Sequence, residues 1–308
     1  MRVGRGCHAG QVLLPVILSL LAALSYGVSD FAGAVGARRL RVLRGTTVTY
    51  AFAVVVLLIA LPILGGVWSQ QAVFWGAIAG VTAIVGFVAF YAALAAGPIS
   101  LASPLIAALG SLVPVVIAVV LGEQLPALAW VAVVIALIGG ALISVTKGDG
   151  AQVIRPRTIV LSIIAGVGLG LSIAALDQAP DESKVIPAVV EIGVGLVLLL
   201  LLLAAVKLSA PLRRGLSILD EEHEEDAMPS PRRALLASSF GGVLLGVANA
   251  LILAALQSGS LAVVSVLIGL YPIATILLAR VLHGEKLLPL QLLGVALALA
   301  ASVLLALA

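Results

Sequence analysis

Long apolar stretches, separated by short polar segments, repeat along the whole chain. Ten of them approach or exceed the roughly 20 apolar residues that a helix needs to cross the ~30 Å hydrocarbon core of a bilayer. They lie at about residues 12–33, 46–65, 72–95, 99–121, 127–146, 158–177, 185–206, 234–256, 260–282 and 287–307, and we number them spans 1 to 10. Runs such as LVLLLLLLAA at 196–205 lack the alternation of barrel strands, so the pattern predicts ten transmembrane helices.

The composition supports a membrane protein. Hydrophobic residues make up 62% of the chain and charged residues 10%, with a mean hydropathy of +1.27, whereas soluble domains carry about 25% charged residues. Arg2 and Arg5 precede the first stretch, as in a signal peptide, but the stretch exceeds the usual 7 to 15 residues of a signal core. We therefore expect it to be span 1. Cys7 is the only cysteine, which excludes a disulfide or a cysteine-based metal site within the chain.

An internal repeat appears when the chain is shifted by 162 residues. Between residues 92 and 125, eleven positions then coincide, and spans 3–5 align with spans 8–10. The informative matches are Gly97 with Gly259, Ser103 with Ser265, Gly122 with Gly284, and Glu123 with Glu285. The shift predicts two five-helix repeats, residues 12–146 and 158–308, with a tail at 1–11, a connecting loop at 147–157 and a charged loop at 207–233.

Because five is odd, the second repeat should enter the membrane from the opposite side. Loop 1–2 carries four Lys and Arg residues and its counterpart, loop 6–7, carries one; loop 2–3 carries none and loop 7–8 carries five. This reversed bias is what inverted repeats require under the positive-inside rule. Over the whole chain, 14 Lys and Arg residues lie in the odd-numbered loops and 3 elsewhere, which favours cytoplasmic odd-numbered loops and both termini outside.

Three segments carry a recognisable pattern: LSYGVSDFAGAVGARRL at 24–40, FYAALAAGPISLASPLIAALGSLVPVVIAVVLGEQL at 90–125 and LIGLYPIATILLARVLHGEKL at 267–287. They resemble the drug/metabolite transporter superfamily, EamA type. The resemblance implies a basket of ten helices in two inverted repeats around a central cavity lined by spans 3, 4, 8 and 9. It also implies cytoplasmic termini, opposite to the charge bias, so both orientations stay open. Inverted repeats around a midplane site are typical of alternating-access transporters.

The resemblance and the polar positions together give a candidate substrate cavity. Asn249 is costly to leave unpaired in lipid, and Ser103 and Ser265 are repeat partners. The alternative for each serine is a hydrogen bond between helices. The candidate cavity residues are Tyr26, Phe87, Phe90, Tyr91, Ser103, Ser111, Asn249, Ser265 and Tyr271.

Two acidic residues within spans are candidates for ion coupling. A charge at mid-bilayer costs about 2.5–3.5 kcal/mol on insertion scales. Glu191 lies inside span 7, where it is either a protonatable carboxyl or a neutral hydrogen-bonded one. Asp30, late in span 1, either couples transport or pairs with Arg38 or Arg39 near the interface.

Turn and hinge residues complete the candidate set. Gly122-Glu123 and Gly284-Glu285 are expected at equivalent turns on opposite faces, where they would help to gate the cavity. Pro114 and Pro272 remove a helical hydrogen bond and could act as hinges. The GxxxG spacings Gly76–Gly80 and Gly242–Gly246 fit helix packing within the monomer, with dimerisation as the alternative.

These features predict a multi-pass carrier in the inner or plasma membrane that moves a small metabolite or drug-like solute. Export follows from the resemblance, and a proton gradient or the solute's own gradient would drive transport. The first alternative is an ion or small-solute channel, and the second, less favoured one is a membrane-embedded enzyme. We expect no catalytic residues, cofactor, metal or nucleic-acid partner; the expected partners are the solute and the bilayer, with a monomer and a homodimer both open.

Overall fold

The chain folds into an all-helical bundle. A computed structural model describes residues 9–96, 99–143, 156–216, 230–271, 273–274 and 288–307. Its helices are α1 (Ala9–Leu40), α2 (Val42–Leu64), α3 (Gln70–Ala96), α4 (Ile99–Val120), α5 (Ala127–Ile143), α6 (Pro156–Asp177), α7 (Ile186–Leu208), α8 (Ala210–Leu216), α9 (Pro231–Ser258), α10 (Leu261–Ile268) and α11 (Pro289–Leu307). A short 3₁₀ helix, Asp181–Ser183, precedes α7.

Each predicted span corresponds to a helix, and α10 covers the first part of span 9. Within the described ranges, α1, α2, α3, α6, α7 and α9 are long and apolar enough to cross a membrane, and α4, α5 and α11 contain shorter apolar segments. The short helix α8 was not predicted, and it lies in the charged loop. Helix α1 extends to Leu40, past the apolar stretch, because hydropathy marks the lipid-embedded part of a helix and not its ends.

The two repeats interleave. Helix α1 of the first repeat packs along α9, the third span of the second repeat, and α3 packs in the equivalent way along α6. The contacts of α2 with α9 and of α3 with α7 form a second such pair, while α4 packs on α10 and α5 on α11. Every one of these contacts joins one repeat to the other, so a movement between the repeats must change them together.

Small residues mediate these contacts, whereas many large apolar side chains face outward. A side chain at Gly80 would meet the carbonyl oxygen of Glu191 at 2.6 Å, and one at Gly242 would meet the carbonyl oxygen of Thr49. Leu58, Ile59 and many other large apolar residues are exposed on the bundle surface. This is the arrangement of membrane helices, where small residues allow close backbone approach. Both GxxxG spacings pack within the monomer.

Candidate functional site

Polar side chains from several helices meet between the two repeats. Four polar residues within the predicted spans are buried inside the bundle. Ser172, Glu191 and Asn249 are at most 5% exposed, and Tyr50 is 8% exposed. Together with two half-buried tyrosines they form what we call the buried polar cluster: Tyr26 of α1, Tyr50 of α2, Ser172 of α6, Glu191 of α7, Asn249 of α9 and Tyr271 just after α10.

Glu191 is the acidic member of this cluster. Its Oε1 accepts a hydrogen bond from the hydroxyl of Ser172 over 2.9 Å. Its Oε2 is buried and has no hydrogen-bond partner among the described residues. A buried polar atom without a partner is unfavourable, so this oxygen is available to a proton, a water or a solute group.

Tyr26 belongs to the part of the cluster formed by α1 and α9. Tyr26 forms a hydrogen bond with the side chain of Asn249 and interacts electrostatically with Glu191 and Tyr50. Its ring centroid lies 6.3 Å from that of Tyr271, with the planes at 50°. The Asn249 amide also donates to the carbonyl oxygen of Leu245 over 2.9 Å. The cluster therefore combines a carboxyl, an amide, hydroxyls and aromatic faces.

The positions of the first repeat that are equivalent to Ser172 and Glu191 carry no acidic residue. Ser29 and Thr49 precede Ser172 and Glu191 by 143 and 142 residues, and Thr49 faces Gly242 as Glu191 faces Gly80. The Ser29 hydroxyl donates to the carbonyl oxygen of Gly241 over 2.7 Å, and the Thr49 hydroxyl donates to that of Ser238 over 3.2 Å. At this pair of equivalent positions the second repeat therefore carries an acid, Glu191, and the first repeat a hydroxyl, Thr49.

Sequence reasoning missed Tyr50, Ser172 and this equivalence, although a signal was present. A shift of 143 residues aligns spans 1 and 6 and pairs Ser19 with Ser162, Gly27 with Gly170, and Ser29 with Ser172. The 162-residue shift pairs only spans 3–5 with 8–10. The two shifts differ because the connections between spans differ in length in the two repeats.

Tyr26, Asn249 and Tyr271 come together, while other predicted cavity residues lie elsewhere. Phe90 packs on a separate apolar cluster of α3, α4 and α6. Ser111 contacts Gly269 beside a space of about 10 Å³, and Ser265 is fully buried and donates to the carbonyl oxygen of Leu261 over 2.6 Å. Phe87 is half-buried. The side chains of Tyr91 and Ser103 lie outside the described residues.

The candidate charged residues differ from each other in their surroundings, and the hinge candidate Pro114 lies away from both acids in the chain. Asp30 lies one turn beyond Tyr26 and interacts with it electrostatically, but it is exposed on α1, whereas Glu191 is buried. Pro114 is buried within α4 and packs beside Gly170 of α6. Pro272 lies outside the described residues. The structure therefore distinguishes two acids that look alike in the sequence.

Gly122 and Glu123 perform two different tasks at the end of α4. Gly122 has a φ of +96° and donates to the carbonyl oxygen of Val119, while the Glu123 N–H donates to that of Ala118. This is a Schellman helix end, and its positive φ favours glycine. The Glu123 carboxylate bonds instead to the other repeat: it accepts from Ser260 Oγ at 2.6 Å and from the N–H groups of Leu261 at 2.9 Å and Ala262 at 3.4 Å.

The repeat partners Gly284 and Glu285 lie outside the described residues. Across the part of the chain that the structure describes, no group of three His, Cys, Asp or Glu side chains could hold a metal ion.

The interleaved inverted repeats and the buried polar cluster define a helical multi-pass membrane protein of transporter type. The sequence model of the EamA-like transporter family matches the chain twice, at residues 13–145 and 156–307. The chain belongs to this family, and it is a transporter of the drug/metabolite type.

Comparison with other proteins adds support for the fold alone. A solved crystal structure is similar to this protein, with a TM-score of 0.68 and 16% sequence identity. The match covers 94% of this chain and 95% of the chain in that structure. At that identity the likeness concerns the fold. No curated protein matches the chain.

Proposed function

We propose that this protein is a secondary transporter that exports a small metabolite or drug-like solute across the cytoplasmic membrane by alternating access, coupled to protons through Glu191. The observation that carries this proposal is the buried Glu191 carboxyl, which bonds to Ser172 through one oxygen and leaves the other without a described partner. An ionisable residue inside a membrane bundle is a functional-site hypothesis by default, because such residues are costly to insert.

The position of Glu191 between the repeats suits it to coupling. Its backbone lies against Gly80 of the other repeat, so rocking of one repeat on the other changes what surrounds its side chain. In one arrangement the carboxyl takes up a proton from one side of the membrane, and in the other it releases the proton to the opposite side. Transport of the solute in the reverse direction would complete the exchange.

The rest of the buried polar cluster suits a small amphipathic solute. The Asn249 amide and the Tyr26 hydroxyl can bind a polar group, and the rings of Tyr26 and Tyr271 can cover an apolar part. A few convergent polar groups among apolar and aromatic surfaces are typical of small-molecule sites. Export and the cytoplasmic membrane are inferred from the resemblance to the family.

The test is transport by purified protein in liposomes. A mixed metabolite pool is offered with and without an imposed pH gradient, and mass spectrometry identifies what accumulates. Wild type is compared with Glu191→Gln and with the control Glu182→Gln, which makes the same chemical change at an exposed position. We expect saturable accumulation that needs the gradient, is lost in Glu191→Gln and persists in Glu182→Gln.

Other outcomes would redirect the proposal. If transport is saturable but depends neither on the pH gradient nor on Glu191, the protein is a carrier and Glu191 has no part in its mechanism. Flux that never saturates would identify a channel. A chemically altered solute would identify an enzyme.

A further inference from the structure

We propose that Glu123 is a positioning residue for transport: its carboxylate fastens the α4–α5 turn of the first repeat to the start of α10 in the second, and this contact opens once in each transport cycle. The inference rests on the alternating-access mechanism proposed above. It concerns a residue remote from the buried polar cluster, at one end of the bundle.

The geometry at Glu123 is that of a helix cap supplied by a distant part of the chain. Both carboxylate oxygens accept hydrogen bonds, from Ser260 Oγ and from the N–H groups of Leu261 and Ala262. The first N–H groups of a helix have no partner within the helix, and the positive end of the helix dipole attracts a carboxylate. Bonds to an ionised acceptor are roughly twice as strong as neutral ones. Ser260 caps the N–H of Val263 within the helix, and Glu123 satisfies the N–H groups of Leu261 and Ala262 from across the repeat boundary.

Further hydrogen bonds join the neighbouring connections at this end of the bundle. The N–H of Val67, between α2 and α3, donates to the carbonyl oxygen of Glu182 over 2.9 Å. The amide of Gln257, near the end of α9, donates to the carbonyl oxygen of Lys184 over 2.9 Å. We call this region, formed by residues 65–69, 121–126, 178–185 and 257–260, the latched end.

Glu123 is the part of the latched end best placed to open reversibly. It joins α4 and α10, which pack on each other from opposite repeats, so rocking between the repeats pulls directly on its bonds. Glu123 and Ser260 are only part-buried. Water can therefore solvate the carboxylate when the bonds break, which keeps the penalty for opening far below that of separating a buried charge.

Thiol accessibility tests the latch without any transport assay. Replacing Cys7, the only cysteine, gives a cysteine-free background in one step, Cys7→Ser. The reporter is Ser265→Cys, at a fully buried position one turn inside α10. The control reporter is Ser238→Cys, equally buried but near the start of α9, toward the opposite end of the bundle. The rate of reaction with a membrane-impermeant maleimide is measured with Glu123 intact, with Glu123→Gln and with Glu123→Ala.

We expect Glu123→Ala to raise the labelling rate at Ser265→Cys by roughly tenfold or more, the effect of losing one hydrogen bond to a charged group. Glu123→Gln keeps one acceptor oxygen and should give a smaller rise. The rate at Ser238→Cys should stay unchanged in both.

An unchanged rate at Ser265→Cys in the folded Glu123→Ala protein would overturn the proposal. Equal rises at both reporters in both variants would also overturn it, because Glu123 would then support the fold in general. Labelling does not depend on transport, so a failure of the liposome experiment with a positive labelling result would reject the transport mechanism alone.

Discussion

The hydroxyl of Ser172 donates to Oε1 of Glu191 over 2.9 Å, whereas its repeat equivalent Ser29 donates to a backbone carbonyl oxygen, that of Gly241. Ser172→Ala should therefore remove a hydrogen bond to the acid and lower the free energy of unfolding by about 1 kcal/mol. Thermal unfolding of the detergent-solubilised protein, followed by tryptophan fluorescence, measures the change.

The matched control for this prediction lies on the same helix. The hydroxyl of Ser162 is buried and has no hydrogen-bond partner among the described residues, so Ser162→Ala should be neutral or stabilising. Equal losses in the two variants would contradict a specific bond between Ser172 and Glu191.

The close approach of α3 to α7 gives a second prediction. A methyl group at Gly80 would lie 2.6 Å from the carbonyl oxygen of Glu191 and 2.9 Å from Cβ of Val194. Neither atom can move without shifting the helix, so Gly80→Ala should cost about 1–3 kcal/mol of stability. The unfolding temperature and the size-exclusion profile would report the loss.

Gly193 is the control for this substitution because a methyl group there would have nothing within 4 Å. Gly193→Ala should preserve or raise stability, by up to about 1 kcal/mol, through its better helix propensity. If Gly80→Ala were tolerated as well as Gly193→Ala, the α3–α7 contact would be looser than described.

The ten spans and the repeat were predictable because lipid imposes a simple rule of length and hydropathy on each helix. The pairing of helices was not predictable from hydropathy. A helix that is apolar on all sides gives no indication of which face packs and which face meets lipid. The interleaving of α1 with α9 and of α3 with α6 therefore required the structure.

The same limit applied to the site residues. Glu191 and Asp30 are both isolated acids within spans, but one is buried against Ser172 and the other is exposed. Glu123 was predictable as a turn residue because Gly122 precedes it. Its bonds to the start of α10 depend on packing between residues about 138 positions apart, which local pattern does not encode.

A third prediction measures the energy of the latch. Glu123→Ala and Ser260→Ala each remove one side of a 2.6 Å hydrogen bond, so the double variant should lose less stability than the sum of the single variants. A coupling energy of about 1 kcal/mol is expected for residues in direct contact. Ser258→Ala provides the control, since that hydroxyl donates only to carbonyl oxygens of its own helix; its effect should add to that of Glu123→Ala. Full additivity with Ser260→Ala would contradict the latch.

The last prediction concerns which side of the membrane the latched end faces. Of the 17 Lys and Arg residues, the connections that form this end contain only Lys184, so the positive-inside rule places it outside the cytoplasm. In the Cys7→Ser background, Glu182→Cys marks the latched end and Ala210→Cys marks the start of α8, beyond the opposite end of α7; both positions are exposed. In intact cells an impermeant maleimide should label Glu182→Cys and spare Ala210→Cys, while both should react after the membrane is opened. The reverse pattern would show cytoplasmic termini, as the family resemblance implies. Glu123 would then close the cytoplasmic side of the transporter.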